Sequence, residues 1–595
     1  MLWSGDGTYD GQPGNQALPK GMHSAEGTDE HASIAWELDD KEAVFVLLAS
    51  SMDAEGLQLV AIDDAKWQPD WPKWEEAINA KLKSLNDAHT WNVVKCPQNT
   101  NVISCKWVFK IKKNSAGEIN KYKAWLVVCG FTQQYGVDYD ETYAPVTHLA
   151  SLCLIMAIAA RQDWDIDIFD FHSVFLNSKL DEDEVIFMEL PPGFDKKGHN
   201  LVARLCVTIY GSKQGMLKWY HWLCSTLHDL GFKWMEANWG VFITMIAHHI
   251  LILASYINNC TVTGSSLALI KAFKKEIGMH FRITDLGPIS WLLGMKVTCD
   301  RKVHTISLSQ ESYINTILTK YNFADVKPVA IPLDSHIQLS ELQCPKTTTK
   351  IAPMQNVPYH QAIGSLIHLT TGTRPDIVFA TSFVSQFNAN PGWDHWEAVK
   401  RIYHYLIGMK LLVMTFRTQV QGLVGYVDAD GATQEHRRAI TGFAFLINGG
   451  AILWRLKKQE LVTLFTAESE YVTATHAAKE ALWLQRLIGE MFQPLMEPTT
   501  LFGDDQSTIT LICDSSYHAC TKHIDICYNF IHFTVEDGSI CFLYCPLNDM
   551  VADTLTKALP SIKAKHFAQK LGLHPSIWGG VLYYSRMDYS TNGLG

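Results

Sequence analysis

The sequence predicts an α+β protein of several domains, and three observations lead to that prediction. Paired β-prone runs meet at short polar turns, as in 105–128 and 251–264. The apolar stretch Leu149–Ala160 has the length of a buried helix. Beyond residue 420, strand-like and helix-like segments follow in the order three strands, helix, strand, helix, strand, helix. A chain of 595 residues has room for about three or four such units of ~150 residues.

Composition is that of a globular protein, with 47% hydrophobic and 19% charged residues. The net charge of −11 argues against indiscriminate coating of nucleic acid, so any such contact must use local basic patches. Fourteen cysteines without a Cys-x-x-Cys pair favour reduced thiols and an intracellular location. No signal peptide is predicted. The longest apolar stretch, Phe242–Ile257, is shorter than the ~20 residues of a membrane span, so no membrane partner is expected.

Residues 1–65 are predicted to be a disordered leader, and the first confident helix begins at Trp71 and Pro72. A hairpin with one cationic face follows, since apolar and basic residues alternate on both sides of an Asn-Ser-Ala-Gly turn (114–117). Such a charge run is, by composition alone, more often a solvated face than a binding site. Its lysines are Lys106, Lys110, Lys112, Lys113, Lys121 and Lys123.

Further along, Asp170 closes a β-prone run, where a lone aspartate is more often a turn residue. The stretch Leu251–Gly264 predicts a second hairpin, with a turn at Asn258 and Asn259 because asparagine tolerates positive φ.

These segments, in order, resemble the reverse transcriptase of copia-type retrotransposons. The resemblance covers residues 70 to 335 and lies in Tyr122–Phe131, Val174–Ser178, Met188–Phe194, Ile209–Tyr220, the 251–264 hairpin and Thr284–Gly294. It implies fingers, palm and thumb over 66–335. It also implies that the six lysines and Gln214, which lies in the nucleotide-sensing segment, contact a template–primer.

By the same resemblance, Asp170 matches the first catalytic, metal-binding aspartate of the polymerase. The family's other two palm aspartates are Asn258 and Asn259 here. An arginine expected to clamp the triphosphate is Trp125, and a following lysine is Cys129. The resemblance therefore implies a polymerase fold whose catalytic site is degenerate.

The rest of the chain resembles the remainder of the same Pol polyprotein: a linker and helical connection over 336–420, an RNase H-like domain over 421–560 and a C-terminal tail over 561–595. In the RNase H-like region the resemblance implies four metal-binding carboxylates, with Cys527 and Asp505 as departures from the family's arginine and asparagine. The alternative for such acids is that they cap helices and turns. The four are Asp428, Glu470, Asp504 and Asp553.

Helical spacing distinguishes two glutamates at this site. Glu470 shares a face with Ala467, Ala474 and other alanines, so it is predicted to face the sheet, whereas Glu468 is predicted to face solvent. Four converging carboxylates need bound cations, and the expected cofactor is a pair of Mg²⁺ ions about 4 Å apart.

Three functional hypotheses remain at this point. The first is a nuclease that cuts the RNA of RNA–DNA hybrids and whose polymerase site is dead. The second is a non-catalytic nucleic-acid-binding or inert remnant of a transposable element. The third, an active polymerase, requires catalysis without two of three palm carboxylates.

Overall fold

The computed structural model describes residues 62–67, 69–113, 119–172, 174–181, 183–194, 200–347, 354–418, 421–430, 438–460, 465–513 and 525–576. The predicted disordered leader up to residue 61 and the turn at 114–117 lie outside these residues. Within them, no helix is long and apolar enough to pass through a bilayer.

Helices and strands both occur in the described residues, partly in separate groups and partly in alternation, which confirms the α+β class. The helices are α1 (Ile62–Lys66), α2 (Trp71–Asp87), α3 (Leu149–Gln162), α4 (Gly215–Asp229), α5 (Leu267–His280), α6 (Glu311–Lys320), α7 (Tyr359–Gly372), α8 (Val378–Ser385), α9 (Trp393–Met409), α10 (Thr466–Met491), α11 (Gln506–Cys513), α12 (Asp525–Glu536), α13 (Asp553–Thr556) and α14 (Ser561–Lys570).

The strands form four sheets and one separate hairpin. They are β1 (Trp91–Lys95), β2 (Val102–Ile103), β3 (Cys105–Lys113), β4 (Ile119–Val128), β5 (Asp165–Phe171), β6 (Phe187–Met188), β7 (Leu201–Leu205), β8 (Lys233–Trp234), β9 (Val241–Ile246), β10 (His249–Tyr256), β11 (Asn259–Gly264), β12 (Ile283–Pro288), β13 (Trp291–Leu292), β14 (Met295–Asp300), β15 (Thr305–Ser309), β16 (Leu412–Arg417), β17 (Val424–Asp430), β18 (Ile440–Ile447), β19 (Gly450–Lys458), β20 (Thr499–Gly503), β21 (Ile540–Tyr544) and β22 (Leu573–Pro575).

The N-terminal region, which contains α1, α2, β1–β4, β6 and β7, includes the part predicted as the fingers. A four-stranded sheet, β1-β7-β6-β2, lies beside the β3–β4 hairpin. Helix α2 packs on β4 through the apolar face that the sequence predicts: Trp74, Ile78 and Leu85 are buried. Trp74 contacts the rings of Phe109 and Tyr122 edge-on, with centroids 5.0 and 4.7 Å away, so the helix fixes the inner face of the hairpin.

The palm is a six-stranded sheet in the order β12-β5-β11-β10-β9-β8. Helices α4 and α5 share an apolar core with it. Helix α3 is different, because the first twelve of its fourteen residues, Leu149–Ala160, are all buried. A helix that is apolar all round must be covered on every side. Here α3 also contacts β15, β16 and β19, which belong to the later parts of the chain.

The helical connection is a bundle of α6 to α9 with its own apolar core. Its centre holds a buried ion pair, in which Arg374 donates to both carboxylate oxygens of Asp376 at 2.8 and 2.7 Å. The Tyr405 hydroxyl donates to the same carboxylate at 2.8 Å. Pairing and hydrogen bonding together compensate the desolvation of these charges.

The RNase H-like region is a five-stranded sheet, β19-β18-β17-β20-β21, with α10 to α13 around it. The hairpin predicted at residues 448–450 is present: Asn448 and Gly449 both have positive φ, of 50° and 79°, and join β18 to β19. The extra strand predicted at 461–465 falls outside the described residues except for Phe465, which precedes α10.

The palm and the RNase H-like region share one apolar core that includes α3, β17, β18 and α10. Polar contacts reinforce it. Asn448 donates to the Ala157 carbonyl at 3.0 Å, and the Trp483 indole donates to the Ala237 carbonyl at 2.8 Å. The two regions therefore pack as continuous layers instead of meeting through a loose linker.

Residues assigned by sequence to a C-terminal tail include a helix and a strand. Strand β22 pairs with β16, and β16 pairs with β15, in a sheet whose full order is β13-β14-β15-β16-β22. The end of the described chain thus completes a sheet that begins in the thumb segment of the reverse transcriptase region.

The histidine on β22 gives this sheet a pH dependence. Burial, together with Arg417, lowers the pKa of His574 from 6.5 to about 4, so the folded form keeps the imidazole neutral. The unfolded chain protonates first on acidification, and the stability of the wild type is expected to fall as the pH drops from about 6.5 to 4. His574→Gln should show a smaller loss over that range in urea titrations; an unchanged loss would contradict this assignment.

Candidate functional site

Three of the four predicted RNase H acids meet at one end of the C-terminal sheet. Asp428 lies on β17, and Asp504 directly follows β20. These strands are parallel neighbours, with Val424 opposite Thr500, so their carboxyl ends reach the same edge. Glu470 comes from α10, which packs across both strands. One carboxylate oxygen of each residue lies within 4.8 Å of the others.

A glycine makes this assembly possible. Gly442 lies opposite Asp428 on β18, and a Cβ at this position would come within 2.4 Å of the Thr556 methyl group. The absence of a side chain lets α13 lie directly on the sheet. From there Thr556 and Lys557 reach Asp428.

The electrostatics of the three acids are those of crowded carboxylates. Burial and the nearby carboxylates of Asp428 and Asp504, opposed by a hydrogen bond from the backbone of Ala429 and by Lys557, raise the pKa of Glu470 to about 9. Burial, opposed by Lys557, raises the pKa of Asp428 to about 6. Burial also raises the pKa of Asp504. Without a cation, the site therefore keeps Glu470 protonated at neutral pH.

The fourth acid, Asp553, is buried on α13 but lies outside the three-carboxylate group. Two lysines hold it. Lys557 donates to one carboxylate oxygen at 2.9 Å, and Lys563 donates to the other at 2.6 Å. Lys557 also donates to Asp428 at 3.0 Å, so its ammonium group bridges two of the predicted metal ligands. Burial alone would lower the pKa of Lys557, but Asp428 and Asp553 raise it.

The sequence analysis did not assign a role to Lys557. Its contact with Asp553 could have been predicted, because Lys557 follows Asp553 by four residues and this spacing brings two side chains together on a helix. The reach of Lys557 to Asp428 could not be found this way, since it depends on how α13 docks on β17 and β18.

The prediction that Glu468 faces solvent is wrong. Its exposed fraction is 8%, close to the 7% of Glu470, and Thr475 on the same face is also buried. Helices α11 and α12 both contact α10, and the Thr508 hydroxyl donates to the Ala467 carbonyl at 3.2 Å. The helical spacing distinguished two faces, but Glu468 and Thr475 on the second face are buried, whereas Lys479 further along the same face is exposed.

Asp505, which replaces the family's asparagine, caps α11. Its carboxylate accepts a hydrogen bond from the Ser507 amide at 2.9 Å and another from the Thr508 hydroxyl at 2.7 Å. Partial burial opposes ionisation, but these hydrogen bonds lower the pKa of Asp505. The carboxylate is thus used in the helix N-terminus. Of Cys527, the other departure, only the backbone lies in the described part of the chain.

The donor set formed by Asp428, Glu470 and Asp504 fits a divalent cation. Carboxylate oxygens are the ligands that Mg²⁺ and Mn²⁺ prefer. Clustered carboxylates with raised pKa values also indicate a site that a positive charge would stabilise.

The second candidate site is at the tip of the β10–β11 hairpin. Its turn is shifted by one residue from the prediction: Tyr256 pairs with Asn259, so the turn residues are Ile257 and Asn258. The positive φ, 57°, falls on Ile257. A β-branched residue is strained in this conformation. The Trp219 indole holds the turn by donating to the Ile257 carbonyl at 3.0 Å.

The predicted polymerase residues are brought together at this tip. Asn259 pairs with Asp170 across β11 and β5. The Asn258 amide group donates to the Asp170 carboxylate at 2.5 Å. An amide donor therefore lies against Asp170 at the place where the family's second aspartate would be.

The hairpin predicted over 105–128 is present as the antiparallel strands β3 and β4. The backbone of Lys123 pairs with that of Lys110, and the backbone of Lys121 pairs with that of Lys112. Trp125 lies on the same strand two residues further along, opposite Val108. Burial, together with Lys123, lowers the pKa of Lys81 on the adjoining helix to about 8.

Gln214 has a different environment from the lysines. It is buried, donates to the Asp138 carbonyl at 2.8 Å and accepts a hydrogen bond from Gln133 at 3.1 Å. These bonds connect α4 to the loop after β4, and they do not favour a direct contact between Gln214 and a substrate.

Sheet order, palm hairpin and carboxylate cluster together define a reverse transcriptase-like protein with an RNase H-like domain. Residues 88–335 match the family model described as reverse transcriptase (RNA-dependent DNA polymerase). The chain is a relative of copia-type retrotransposon Pol polyproteins, which confirms the resemblance read from the sequence.

Two such relatives give the extent of this similarity. The chain is 36% identical over 533 residues to the retrovirus-related Pol polyprotein from transposon TNT 1-94 of Nicotiana tabacum, which covers 89% of this chain and 40% of that protein. It is 31% identical over 531 residues to that from transposon RE1 of Arabidopsis thaliana, covering 88% of this chain and 35% of that protein. The chain thus spans two fifths or less of these polyproteins.

A solved structure of a foamy viral protease-reverse transcriptase in complex with double-stranded DNA also aligns with the chain. The TM-score is 0.43 at 11% identity, over 83% of this chain and 73% of that one.

Proposed function

We propose that this Pol-related protein cleaves the RNA strand of RNA–DNA hybrids at Asp428, Glu470 and Asp504, and that its polymerase site is inactive. The observation that carries the first part is the approach of the three carboxylate oxygens to within 4.8 Å of one another. Carboxylates that only cap helices are not expected to converge in this way, because like charges repel each other.

The three carboxylates are held in place by different elements of the fold. Asp428 and Asp504 extend from neighbouring strands, so the sheet fixes their separation, and α10 holds Glu470 against them. A divalent cation bound to these oxygens would activate water and stabilise the leaving oxygen of the phosphodiester. The burial of Asp428 and Glu470 limits competition from bulk water for their carboxylates.

The inactive polymerase site is supported by the contact between Asn258 and Asp170. A neutral amide is a poor Mg²⁺ ligand, and here its NH₂ group already satisfies the remaining carboxylate. Trp125 and Cys129, in positions where the family has basic residues, cannot neutralise a triphosphate.

The test is cleavage of a hybrid with a labelled RNA strand by the 595-residue chain, with Mg²⁺ or Mn²⁺, beside primer extension on the same template. Metal-dependent release of short RNA without extension is the expected result. An intact hybrid in the presence of either metal would leave the chain a non-catalytic remnant.

Nucleic-acid binding without catalysis is the second candidate, and the paired lysines of the fingers hairpin favour it. Affinity for a template–primer duplex is expected to fall steeply with salt, by about 0.9 in log–log slope for each phosphate contact. Lys121→Gln with Lys123→Gln should reduce that slope by about 2, measured by fluorescence anisotropy across a salt series.

The control for this prediction is Lys302→Gln with Lys327→Gln, two exposed lysines outside the fingers. If both double variants bind like the wild type at every salt concentration, the hairpin is only a solvated face.

A further inference from the structure

The ammonium group of Lys557 lies where a cation between two carboxylates would lie. It is 3.0 Å from one oxygen of Asp428 and 2.9 Å from one oxygen of Asp553. Both carboxylates are almost completely buried, with side-chain exposures of 1% and 2%. Burial of the two carboxylates reduces the solvent screening of these contacts, while the Lys557 side chain itself is 36% exposed. Lys557 therefore bridges the first strand and the last helix of the site, as a metal ion would.

The second lysine closes the other side of Asp553. Lys563 lies 2.6 Å from the oxygen that Lys557 does not contact. Both oxygens of Asp553 are thus engaged by ammonium groups. Asp428 also has both oxygens hydrogen bonded, one by Lys557 and the other by the neutral Thr556 hydroxyl, but one of them lies within 4.8 Å of the carboxylate oxygens of Glu470 and Asp504.

The charges agree with this division. When all four acids are ionised they carry four negative charges, and Lys557 and Lys563 supply two positive ones. One divalent cation neutralises the remainder. A second would leave a net positive charge of two in a largely buried site, which is unfavourable without further anions.

We propose that Lys557 takes the place of one of the two divalent ions, so that the site binds a single ion at Asp428, Glu470 and Asp504. This inference rests on the function proposed above but concerns how many ions the chain holds. It replaces the expectation of a Mg²⁺ pair. Lys557 is then a positioning residue that holds Asp428 and Asp553 together whether or not an ion is present.

The experiment counts bound Mn²⁺ on the full chain by equilibrium dialysis with electron paramagnetic resonance of the free ion. The count for the Asp504→Asn, Glu470→Gln double variant is subtracted, which removes ions held elsewhere, including at Asp170. The wild type is expected to bind one ion at this site. Lys557→Met, which keeps the aliphatic stem and removes the charge, is expected to bind two. Lys563→Met is the matched control and should still bind one, because Lys563 does not contact Asp428.

Two ions on the wild type, or one on a folded Lys557→Met, would overturn the inference. If Lys557→Met does not fold by circular dichroism, the wild-type count decides alone. One bound ion without hybrid cleavage would remove the proposed function and leave the single-ion inference standing. Two bound ions with cleavage would support the proposed function and overturn the single-ion inference. No bound ion would overturn both the proposed function and the single-ion inference.

Discussion

Glu470→Gln is expected to reduce cleavage of the hybrid by about 10³-fold or more, and to leave the metal-free fold unchanged. The pKa of Glu470 is about 9, so at pH 7 without a cation its carboxyl group is already neutral. Glutamine has nearly the same shape and charge as that protonated form, so folding loses little. Cation binding loses one of three ligands, and a 10³-fold rate loss corresponds to about 4 kcal/mol of transition-state stabilisation.

Single-turnover cleavage and metal-free thermal melts measure the two sides of this prediction. Adding Mg²⁺ should raise the melting temperature of the wild type by mass action and that of Glu470→Gln less. Glu497→Gln is the control, because Glu497 is an exposed carboxylate of the same region outside the metal-ligand group. Wild-type cleavage by Glu470→Gln would show that the three-carboxylate group is not the reactive site.

The second large effect is expected at the palm: the wild type should add nucleotides at least ~10³-fold more slowly than a polymerase that has both palm aspartates and an intact nucleotide site. Metal-mediated stabilisation of the transferring phosphoryl group is what the two amides remove. Trp125 and Cys129 are also expected to weaken triphosphate binding. The Asn258→Asp, Asn259→Asp variant is therefore expected to regain little polymerase activity.

Stability provides a cleaner measurement for the same variant. In the wild type the Asn258 amide donates to Asp170 at 2.5 Å. Aspartate there would put a second carboxylate against Asp170, so the variant should melt at a lower temperature without metal and regain stability with Mg²⁺. Asn99→Asp, in an exposed loop where φ is 57°, should change neither value. Template-directed synthesis by the wild type at a rate near that of an intact polymerase would refute the inactive site.

Local patterns in the sequence predicted most of the elements and their order. The apolar face of α2, the buried length of α3 and the turn at Asn448 and Gly449 each depend on residues close in sequence, and each is present. Three of the four RNase H acids also meet as expected, because strand ends and a helix face bring them together.

The features that could not be predicted from the sequence depend on packing between elements that are distant in the chain. Glu468 is buried, and no periodicity within α10 indicates which of its side chains neighbouring elements will cover. The shift of the palm turn to Ile257 and Asn258 is set by pairing with β5, including Asn259 against Asp170. Lys557 reaches Asp428 across 129 residues of sequence, a contact made by the packing of α13 on the sheet.

The pairing of β22 with β16 has a consequence for how the protein is made. Strand β15 is synthesised more than 260 residues before β22, and β16 lies between them in the sheet. On the ribosome, the edge of β16 stays unpaired until residues 573–575 emerge, well after the palm and fingers are complete. An exposed strand edge with its apolar neighbours is a site for wrong pairing between nascent chains. Because such long-range pairing also slows folding, the closure of that edge by β22 is expected to be a late step in the folding of the described residues.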